Sequence, residues 1–227
     1  MPPARWSCAW TAELASLDHL VVAARDLDAG AAWLEERLGV PLSAGGRHTA
    51  MGTHNRLLGL GDRCYLELIA VDPAAPPPGR PRWFGLDDPA TWTLLAERPR
   101  LVHWVARSDD LARDNAGMGD GAGDILAMAR GDFRWRIAVR TDGRLPMGGL
   151  RPSLIQWDVP IHPADRLPDR GCRLMKLEAF SREPDALRRS IEALGVGRSL
   201  AVFPCSGGEA PQLVAYLATP RGLAELD

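Results

Sequence analysis

The feature that most constrains the fold is a strand-and-helix pattern that occurs twice in the chain. Residues 17–24 form an apolar run that carries His19, and residues 101–107 form a second apolar run that carries His103. In both places an Asp-Leu pair follows the histidine by seven residues and opens a helical pattern. The repetition predicts two copies of one unit that share a core.

The first unit, residues 17–72, has the spacing of one strand, one helix and three further strands. Apolar side chains recur at helical spacing over residues 26–38, and Gly39 is a typical helix stop. Glycine-rich turns then separate short extended segments around residues 47–51, 54–60 and 63–71. The predicted order of elements is βαβββ.

Residues 101–160 repeat this order with a weaker helix, because three glycines crowd its end. When the last strands of the two units are aligned on their apolar neighbours, Gln156 falls opposite Glu67. Residues 171–222 read as a partial third copy, βαββ, which lacks both ligand-capable side chains. We expect all three units to pack as one compact domain.

The connector between the first two units, residues 73–100, is rich in proline and contains Trp83, Phe84 and Trp92. Prolines exclude a central strand and stiffen a connection. We expect a crossover that packs on the domain through its aromatic side chains and contains one short helix near residues 89–97.

Composition narrows the class of partner. The chain has 227 residues, 46% of them hydrophobic, and a formal net charge of -2, so neither nucleic acid nor a membrane surface is an expected partner. Residues 1–16 form a tail without the apolar core of a secretory signal, and no run approaches the roughly 20 apolar residues of a membrane span. We expect a cytoplasmic protein that binds a small molecule.

Repeated βαβββ units with a histidine in the first strand and a carboxylate or amide in the last resemble the vicinal oxygen chelate superfamily. More narrowly, the sequence resembles the glyoxalase-like domain family of bacterial proteins. The motifs that carry this resemblance are Leu17-Asp18-His19-Leu20, Gly45-Gly46-Arg47-His48, Gly52-Thr53-His54-Asn55 and Tyr65-Leu66-Glu67-Leu68. The resemblance implies an α+β fold in which paired modules form a cup-shaped mixed sheet with the helices outside.

The resemblance also implies a divalent metal held by side chains from two modules. Carried over to this sequence, the ligands are His19 and Glu67 from the first unit and His103 and Gln156 from the second. Such a donor set suits Zn, Ni, Fe(II) or Mn, with open positions where the metal acts as a Lewis acid. Because three units are present, the sequence leaves open which two face each other.

Two residues are candidates for catalytic chemistry beside the metal. Glutamate is rarely buried without a partner, so Glu67 would serve as an acid/base group as well as a ligand. His48 follows two glycines, where a ligand can approach the backbone, and would act as a second acid/base group with Asn55 as a substrate-binding neighbour. Turn capping is the alternative role for His48 and Asn55.

Other candidates for substrate binding lie in the second half of the chain. Arg134 and Arg136 share one strand face, and they would bind an anionic substrate if that face lies inside the cup. If it lies outside, both are solvated. Trp157, beside Gln156, and His162, on a proline-bounded loop, complete the set.

These observations favour a metal-dependent lyase, isomerase or dioxygenase acting on a small carbonyl or vicinal-oxygen compound. The alternative is a metal-free protein that sequesters a small molecule in an aromatic cup without catalysis. A third alternative is a scaffold that forms a homodimer through an exposed sheet edge.

Overall fold

The first unit folds as the predicted strand, helix and three strands. The computed structural model describes residues 17–227, so the predicted tail at 1–16 lies outside the described residues. Asp26 caps the helix by accepting a hydrogen bond from the Ala29 N–H, and Gly39 ends it in the left-handed conformation. The elements are β1 (Leu17–Ala23), α1 (Leu27–Leu38), β2 (Ser43–His48), β3 (Thr53–Gly59) and β4 (Tyr65–Val71).

Strand β2 begins earlier than the sequence pattern predicts, because it includes both glycines of the supposed turn. A Cβ at Gly45 would lie only 2.1 Å from Asn55 Oδ1 on β3. The Gly46 N–H donates a hydrogen bond to the same oxygen at 2.8 Å. At position 45 only glycine permits so close an approach to the Asn55 side chain.

The connector and the second unit follow in the predicted order. The short helix expected near residues 89–97 is confirmed as α2 (Pro89–Leu94), and the glycine-rich helix of the second unit is only six residues long. The elements of the second unit are β5 (Arg100–Arg107), α3 (Leu111–Ala116), β6 (Asp124–Arg130), β7 (Phe133–Val139) and β8 (Ser153–Trp157).

The first and second units join through their first strands into one mixed sheet. β1 pairs antiparallel with β5, and the eight strands run in the order β2-β3-β4-β1-β5-β8-β7-β6. The sheet curls so far that Arg130, at the end of β6, donates a hydrogen bond to Asn55 on β3. The predicted α+β cup is therefore confirmed, and it is the first two units that form it.

The third unit forms a separate four-stranded sheet behind the cup. After the short helix α4 (Pro163–Arg166), its elements are β9 (Arg173–Ser181), α5 (Pro184–Ala193), β10 (Ala201–Pro204), β11 (Gln212–Thr219) and β12 (Gly222–Leu226). The strand order is β10-β9-β11-β12, with β9 parallel to β10, whereas in the first unit β1 is parallel to β4. The interpretation as a third partial copy is therefore wrong, because a similar order of elements along the chain pairs differently in space.

The outer face of the large sheet carries the main apolar core. Side chains of α1, such as Leu34, and of the small sheet, such as Leu177 and Leu213, join one buried cluster with Leu20 and Trp104 of the large sheet.

None of the helices within residues 17–227 is long and apolar enough to cross a membrane.

The inner face of the cup is partly filled by the connector. Trp83, Phe84 and Leu86 are buried in a second apolar cluster with residues of β1, β4, β5, β7 and β8. This use of the connector follows the sequence expectation that its aromatic residues anchor it to the domain. The part of the inner face that the connector leaves uncovered is the site described next.

Candidate functional site

A β-bulge in β1 places two consecutive polar side chains in contact. Side chains of neighbouring strand residues ordinarily point to opposite faces. Here the pairing of β1 with β5 slips between Leu17 and His19, so that Asp18 is the extra residue of the bulge. As a result Asp18 Oδ1 lies 2.7 Å from His19 Nδ1.

Asp18 is fully buried and receives hydrogen bonds from three side chains. The donors are His19 Nδ1, His162 Nε2 at 3.0 Å and Trp157 Nε1 at 2.9 Å. Burial raises the pKa of Asp18, but the hydrogen bonds from His162 and His19 outweigh it and hold the pKa below its ordinary range. The carboxylate is therefore ionised, and each ring nitrogen facing it carries a proton.

The contact with Asp18 fixes the tautomer of His19. With the proton on Nδ1, the lone pair of Nε2 points away from Asp18, and Nε2 lies 3.6 Å from Glu67 Oε2. The ring of Tyr65 stacks on the imidazole, with ring centroids 4.6 Å apart. A histidine held in one tautomer by a buried carboxylate is the arrangement that general bases use.

Glu67 is linked to a cation from the second unit through one amide side chain. Asn55 Nδ2 donates to Glu67 Oε1 at 2.5 Å, while Asn55 Oδ1 accepts from Arg130 Nη1 at 3.1 Å. Glu67 and Arg130 are thus held near each other with an amide between them. The structure brings the predicted residues His19, Glu67 and Asn55 together and adds Arg130.

His48 is buried beside Arg130, and its tautomer is set by that neighbour. An arginine can only donate, so His48 Nε2 accepts from Arg130 Nη1 at 3.2 Å, and Nδ1 carries the proton, facing Thr53 Oγ1 at 3.3 Å. The pKa of His48 is lowered from 6.5 to about 4, mainly by burial; the charge of Glu67 opposes this shift and the charge of Arg130 adds to it. In this geometry His48 holds the Arg130 side chain in place. The role expected from the sequence was proton transfer.

The space between these groups is a cleft with aromatic walls. The mouth of the cleft opens to solvent. Polar groups occupy one side of the cleft, where His19, Glu67 and Arg130 lie. The aromatic side chains of the walls are Tyr65, Trp83, Phe84, Trp135 and Trp157.

His103 does not join this cleft, contrary to the sequence-based interpretation. Its ring is fully buried under Phe84, and Nδ1 faces the Gly149 carbonyl oxygen at 3.0 Å. Nε2 accepts a hydrogen bond from the Ser153 N–H at 3.0 Å. Burial lowers the pKa of His103 to about 3, so the ring is neutral and both nitrogens are already used.

The alignment of Gln156 with Glu67 is also wrong. Val21 of β1 pairs with Glu67, and the equivalent Val105 of β5 pairs with Ser153, so Ser153 is the true counterpart of Glu67. Gln156 lies on the outer face, where it accepts from the Leu111 N–H and donates to the Asp109 carbonyl oxygen. The sequence alignment displaced β8 by three residues, because the apolar neighbours of Gln156 resemble those of Glu67.

The four remaining substrate candidates all form hydrogen bonds within the protein. Arg134 donates to the Gly131 and Phe133 carbonyl oxygens, and Arg136 forms an ion pair with Asp158. Trp135 between them lines the cleft, so the two arginines lie on the opposite face.

His162, the expected lid residue, instead caps α4 and binds Asp18. Trp157 does line the cleft, and its indole N–H is also held by Asp18.

Sequence reasoning missed two residues of the site, Asp18 and Arg130. Asp18 had a detectable signal, because an aspartate next to a histidine within an apolar strand must find a partner when it is buried. Arg130 had none, since its contact with the first unit depends on the curvature of the sheet.

The residues present do not fit the divalent metal that the resemblance implies. Divalent first-row metals in proteins are held by three or more side-chain donors. His103 Nε2 is occupied by a backbone N–H and Gln156 faces outward, which leaves His19 and Glu67 from a single unit. Within residues 17–227, no three His, Cys, Asp or Glu side chains form a group that could hold a metal ion.

The family follows from the comparison with known sequences. The profile of the glyoxalase-like domain matches residues 17–195, most of the chain. The chain belongs to the glyoxalase-like domain family, within the vicinal oxygen chelate superfamily. The match ends inside the third unit, after α5, so the family pattern covers the whole cup. The comparison with curated proteins finds no match.

Two solved structures are similar to this glyoxalase-like protein at low sequence identity. A hypothetical protein from Staphylococcus aureus is 12% identical, with a TM-score of 0.54, covering 93% of this chain and 84% of that chain. Methylmalonyl-CoA epimerase from Mycobacterium tuberculosis is 20% identical, with a TM-score of 0.39, covering 63% of this chain and 86% of that chain. The similarity to the staphylococcal protein includes the third unit, because it extends over nearly the full length.

Proposed function

We propose that this glyoxalase-like protein is an isomerase or lyase that moves a proton at a carbon atom next to a carbonyl group. The observation that carries the proposal is the hydrogen bond from His19 Nδ1 to the buried carboxylate of Asp18, at 2.7 Å. It fixes the tautomer in which Nε2 is free to act as a base in a cleft with aromatic walls.

In the proposed reaction His19 Nε2 takes the proton from the carbon. The electron pair of the C–H bond forms a double bond to the carbonyl carbon, and the carbonyl π electrons move to the oxygen as negative charge. When the first carbon bears a hydroxyl group, the proton of that hydroxyl passes to the negatively charged oxygen, and Nε2 returns its proton to the former carbonyl carbon. The carbonyl group then lies at the first carbon, which gives the isomeric product.

The neighbours of His19 stabilise the charged state that this step creates. Asp18 and Glu67 lie on opposite sides of the imidazole, at 2.7 Å and 3.6 Å from its two nitrogens. Both carboxylates lie where they offset the positive charge that the ring gains when Nε2 takes the proton. The hydrogen bond from Asn55 keeps the Glu67 carboxylate oriented beside Nε2.

Hydrogen-deuterium exchange into small carbonyl compounds tests the proposal. Protein in deuterated buffer is incubated with hydroxyacetone, dihydroxyacetone and pyruvate, and loss of the proton signal next to the carbonyl is followed by NMR. We expect catalysed exchange in at least one compound, reduced about 100-fold or more in His19→Gln.

The matched control is His54→Gln, because His54 lies in β3 outside the cleft and should leave the exchange rate unchanged. Exchange in His19→Gln at the wild-type rate, or no catalysed exchange in any compound, would contradict the proposal.

The second candidate function is binding without turnover, which the aromatic walls of the cleft favour. Three tryptophans line it, Trp83, Trp135 and Trp157, so a bound ligand should change the protein fluorescence. Saturable binding of a compound that undergoes no exchange would support sequestration. Formation of a homodimer stays a prediction from the sequence.

A further inference from the structure

Within the described residues 17–227, Arg130 is a cation of the cleft that forms no ion pair with a carboxylate. Its hydrogen bonds within residues 17–227 both come from Nη1, and they end on neutral atoms, His48 Nε2 and Asn55 Oδ1. By contrast, Arg136 on the neighbouring strand is paired with Asp158 through three hydrogen bonds. The guanidinium of Arg130 is therefore held in place by groups that do not neutralise it.

The chain makes room for this arginine. A Cβ at Gly46 would lie 2.7 Å from Arg130 Cδ, so the glycine lets the arginine side chain cross from the second unit to the first. His48 and Asn55 then hold Nη1 from the far side. The side chain is half-buried, and its position is fixed by three residues of one neighbouring hairpin.

The unused edge of the guanidinium has a defined hydrogen-bonding capacity. Nη2 and Nε of Arg130 have no hydrogen-bond partner within the described residues 17–227, and together they form the two-pronged donor edge that matches two coplanar oxygens. Asn55 stands between Arg130 and Glu67, which prevents the nearest carboxylate of the cleft from taking that edge.

We propose that Arg130 binds the carboxylate of the substrate, so that the cleft selects small 2-oxo acids over uncharged carbonyl compounds. A 2-oxo acid presents a carboxylate oxygen and a carbonyl oxygen side by side, which suits the Nη2 and Nε edge. This inference rests on the proposed function, since it names the substrate class of the same cleft. One guanidinium near one glutamate also favours a single negative charge over a phosphate dianion.

The test compares two ligands of similar size, one with a carboxylate and one with a neutral amide in its place. Pyruvate and its neutral amide, pyruvamide, are titrated into the full-length protein at constant ionic strength, and binding is read from tryptophan fluorescence. We expect pyruvate to bind at least about tenfold more tightly than pyruvamide, the ratio expected when a charge-assisted hydrogen bond is lost. This comparison uses the unmodified protein, so it does not depend on the folding of a variant.

Three variants then assign the preference to Arg130. Arg130→Gln should bind pyruvate and pyruvamide equally, and Arg130→Lys should keep part of the preference, because the charge remains but the two-pronged edge is gone. Arg134→Gln is the matched control, since Arg134 lies on the same hairpin but faces away from the cleft, and it should behave as the wild type.

Equal binding of the two ligands by the wild type, a preference that survives in Arg130→Gln, or no pyruvate binding up to about 10 mM would overturn the inference. Competition by inorganic phosphate as strong as by pyruvate would also overturn it. Selective pyruvate binding without proton exchange would leave the anion site standing and refute the proposed reaction. Proton exchange only in neutral compounds would support the proposed reaction and overturn the assignment of the substrate carboxylate to Arg130.

Discussion

At the scale of single residues, Asp18 organises the site although it does not reach the cleft. A carboxylate that is wholly removed from water is costly to keep ionised unless N–H donors surround it. Three side chains from β1, β8 and the start of α4 supply those donors. One buried charge thus orients the imidazole of His19. It also links β1 with β8 of the second unit and with the start of α4, which precedes the third unit.

Replacement of Asp18 by asparagine should affect both catalysis and stability. The amide cannot accept hydrogen bonds from all three donors, so we expect the exchange rate to fall about 100-fold or more and the free energy of unfolding to fall by about 3 kcal/mol. The exchange assay and urea unfolding measure these two effects. Asp28→Asn, at an exposed helix position, is the control and should change neither. An unchanged exchange rate in Asp18→Asn would remove Asp18 from the mechanism.

The buried neutral histidines predict how stability depends on pH. In the folded protein the pKa of His48 is about 4 and that of His103 about 3, whereas both are near 6.5 in the unfolded chain. Between pH 6.5 and about 4 the unfolded chain therefore binds more protons, and the free energy of unfolding decreases as the pH falls.

We expect each of these two histidines to contribute a slope of about 1.4 kcal/mol per pH unit in that window, with no contribution above it. Urea unfolding from neutral pH down to about pH 5 measures the slope. His103→Gln should lose about half of it, because only His48 then remains. A slope that is the same in His103→Gln and the wild type would contradict the neutral, buried state of His103.

At the scale of elements, β2 and β3 meet so closely that their contact admits only glycine. Gly45→Ala would place a Cβ 2.1 Å from Asn55 Oδ1 and 2.3 Å from the Asn55 carbonyl oxygen. We expect a loss of about 2 kcal/mol in the free energy of unfolding, together with reduced pyruvate binding, because Asn55 must move away from Arg130. Gly79→Ala is the control, since nothing lies within 4 Å of its Cβ position. Equal stability of the two variants would show that the strands can part without cost.

The connector is a second element whose role is structural. Phe84 is buried against His103 and Trp83 on the inner face of the cup. Phe84→Ala should therefore lower the free energy of unfolding by about 3 kcal/mol, as expected for a large cavity in a packed core. Leu94→Ala, whose side chain is 53% exposed on α2, should change it by less than about 0.5 kcal/mol. Urea unfolding of both variants makes the comparison, and similar values would refute a packed connector.

At the scale of the whole molecule, the third unit and the cup share one apolar core. Leu177 of β9 belongs to the same buried cluster as Leu20 and Trp104 of the large sheet. The backbone also connects the two sheets, because the Leu101 N–H donates to the Asp227 carbonyl oxygen. We therefore expect the cup and the third unit to unfold together.

The distribution of tryptophan makes this expectation measurable. All tryptophans within residues 17–227 lie before residue 158, so fluorescence reports on the cup and circular dichroism on every unit. In Leu177→Ala both signals should shift together, by about 3 kcal/mol, whereas Leu223→Ala, at a 72% exposed position, should shift neither. A change in the dichroism transition alone would show that the third unit is an independent domain.

The sequence by itself determined the two βαβββ units and the pairing of His19 with Glu67 in the first of them. These features follow from local causes, namely the apolar periodicity of strands and helices and the glycines that end them. They require no knowledge of which strands are neighbours beyond one unit.

Only the tertiary structure decided the rest of the site. The bulge at Asp18, the pairing of Val105 with Ser153 and the reach of Arg130 to Asn55 all depend on strand register and sheet curvature. A shift of register by a few residues changes which side chains face the cup while leaving the apolar pattern almost unchanged. Strand register also explains why the alignment placed Gln156 opposite Glu67. It explains as well why the third unit repeats the order of elements along the chain without repeating their pairing.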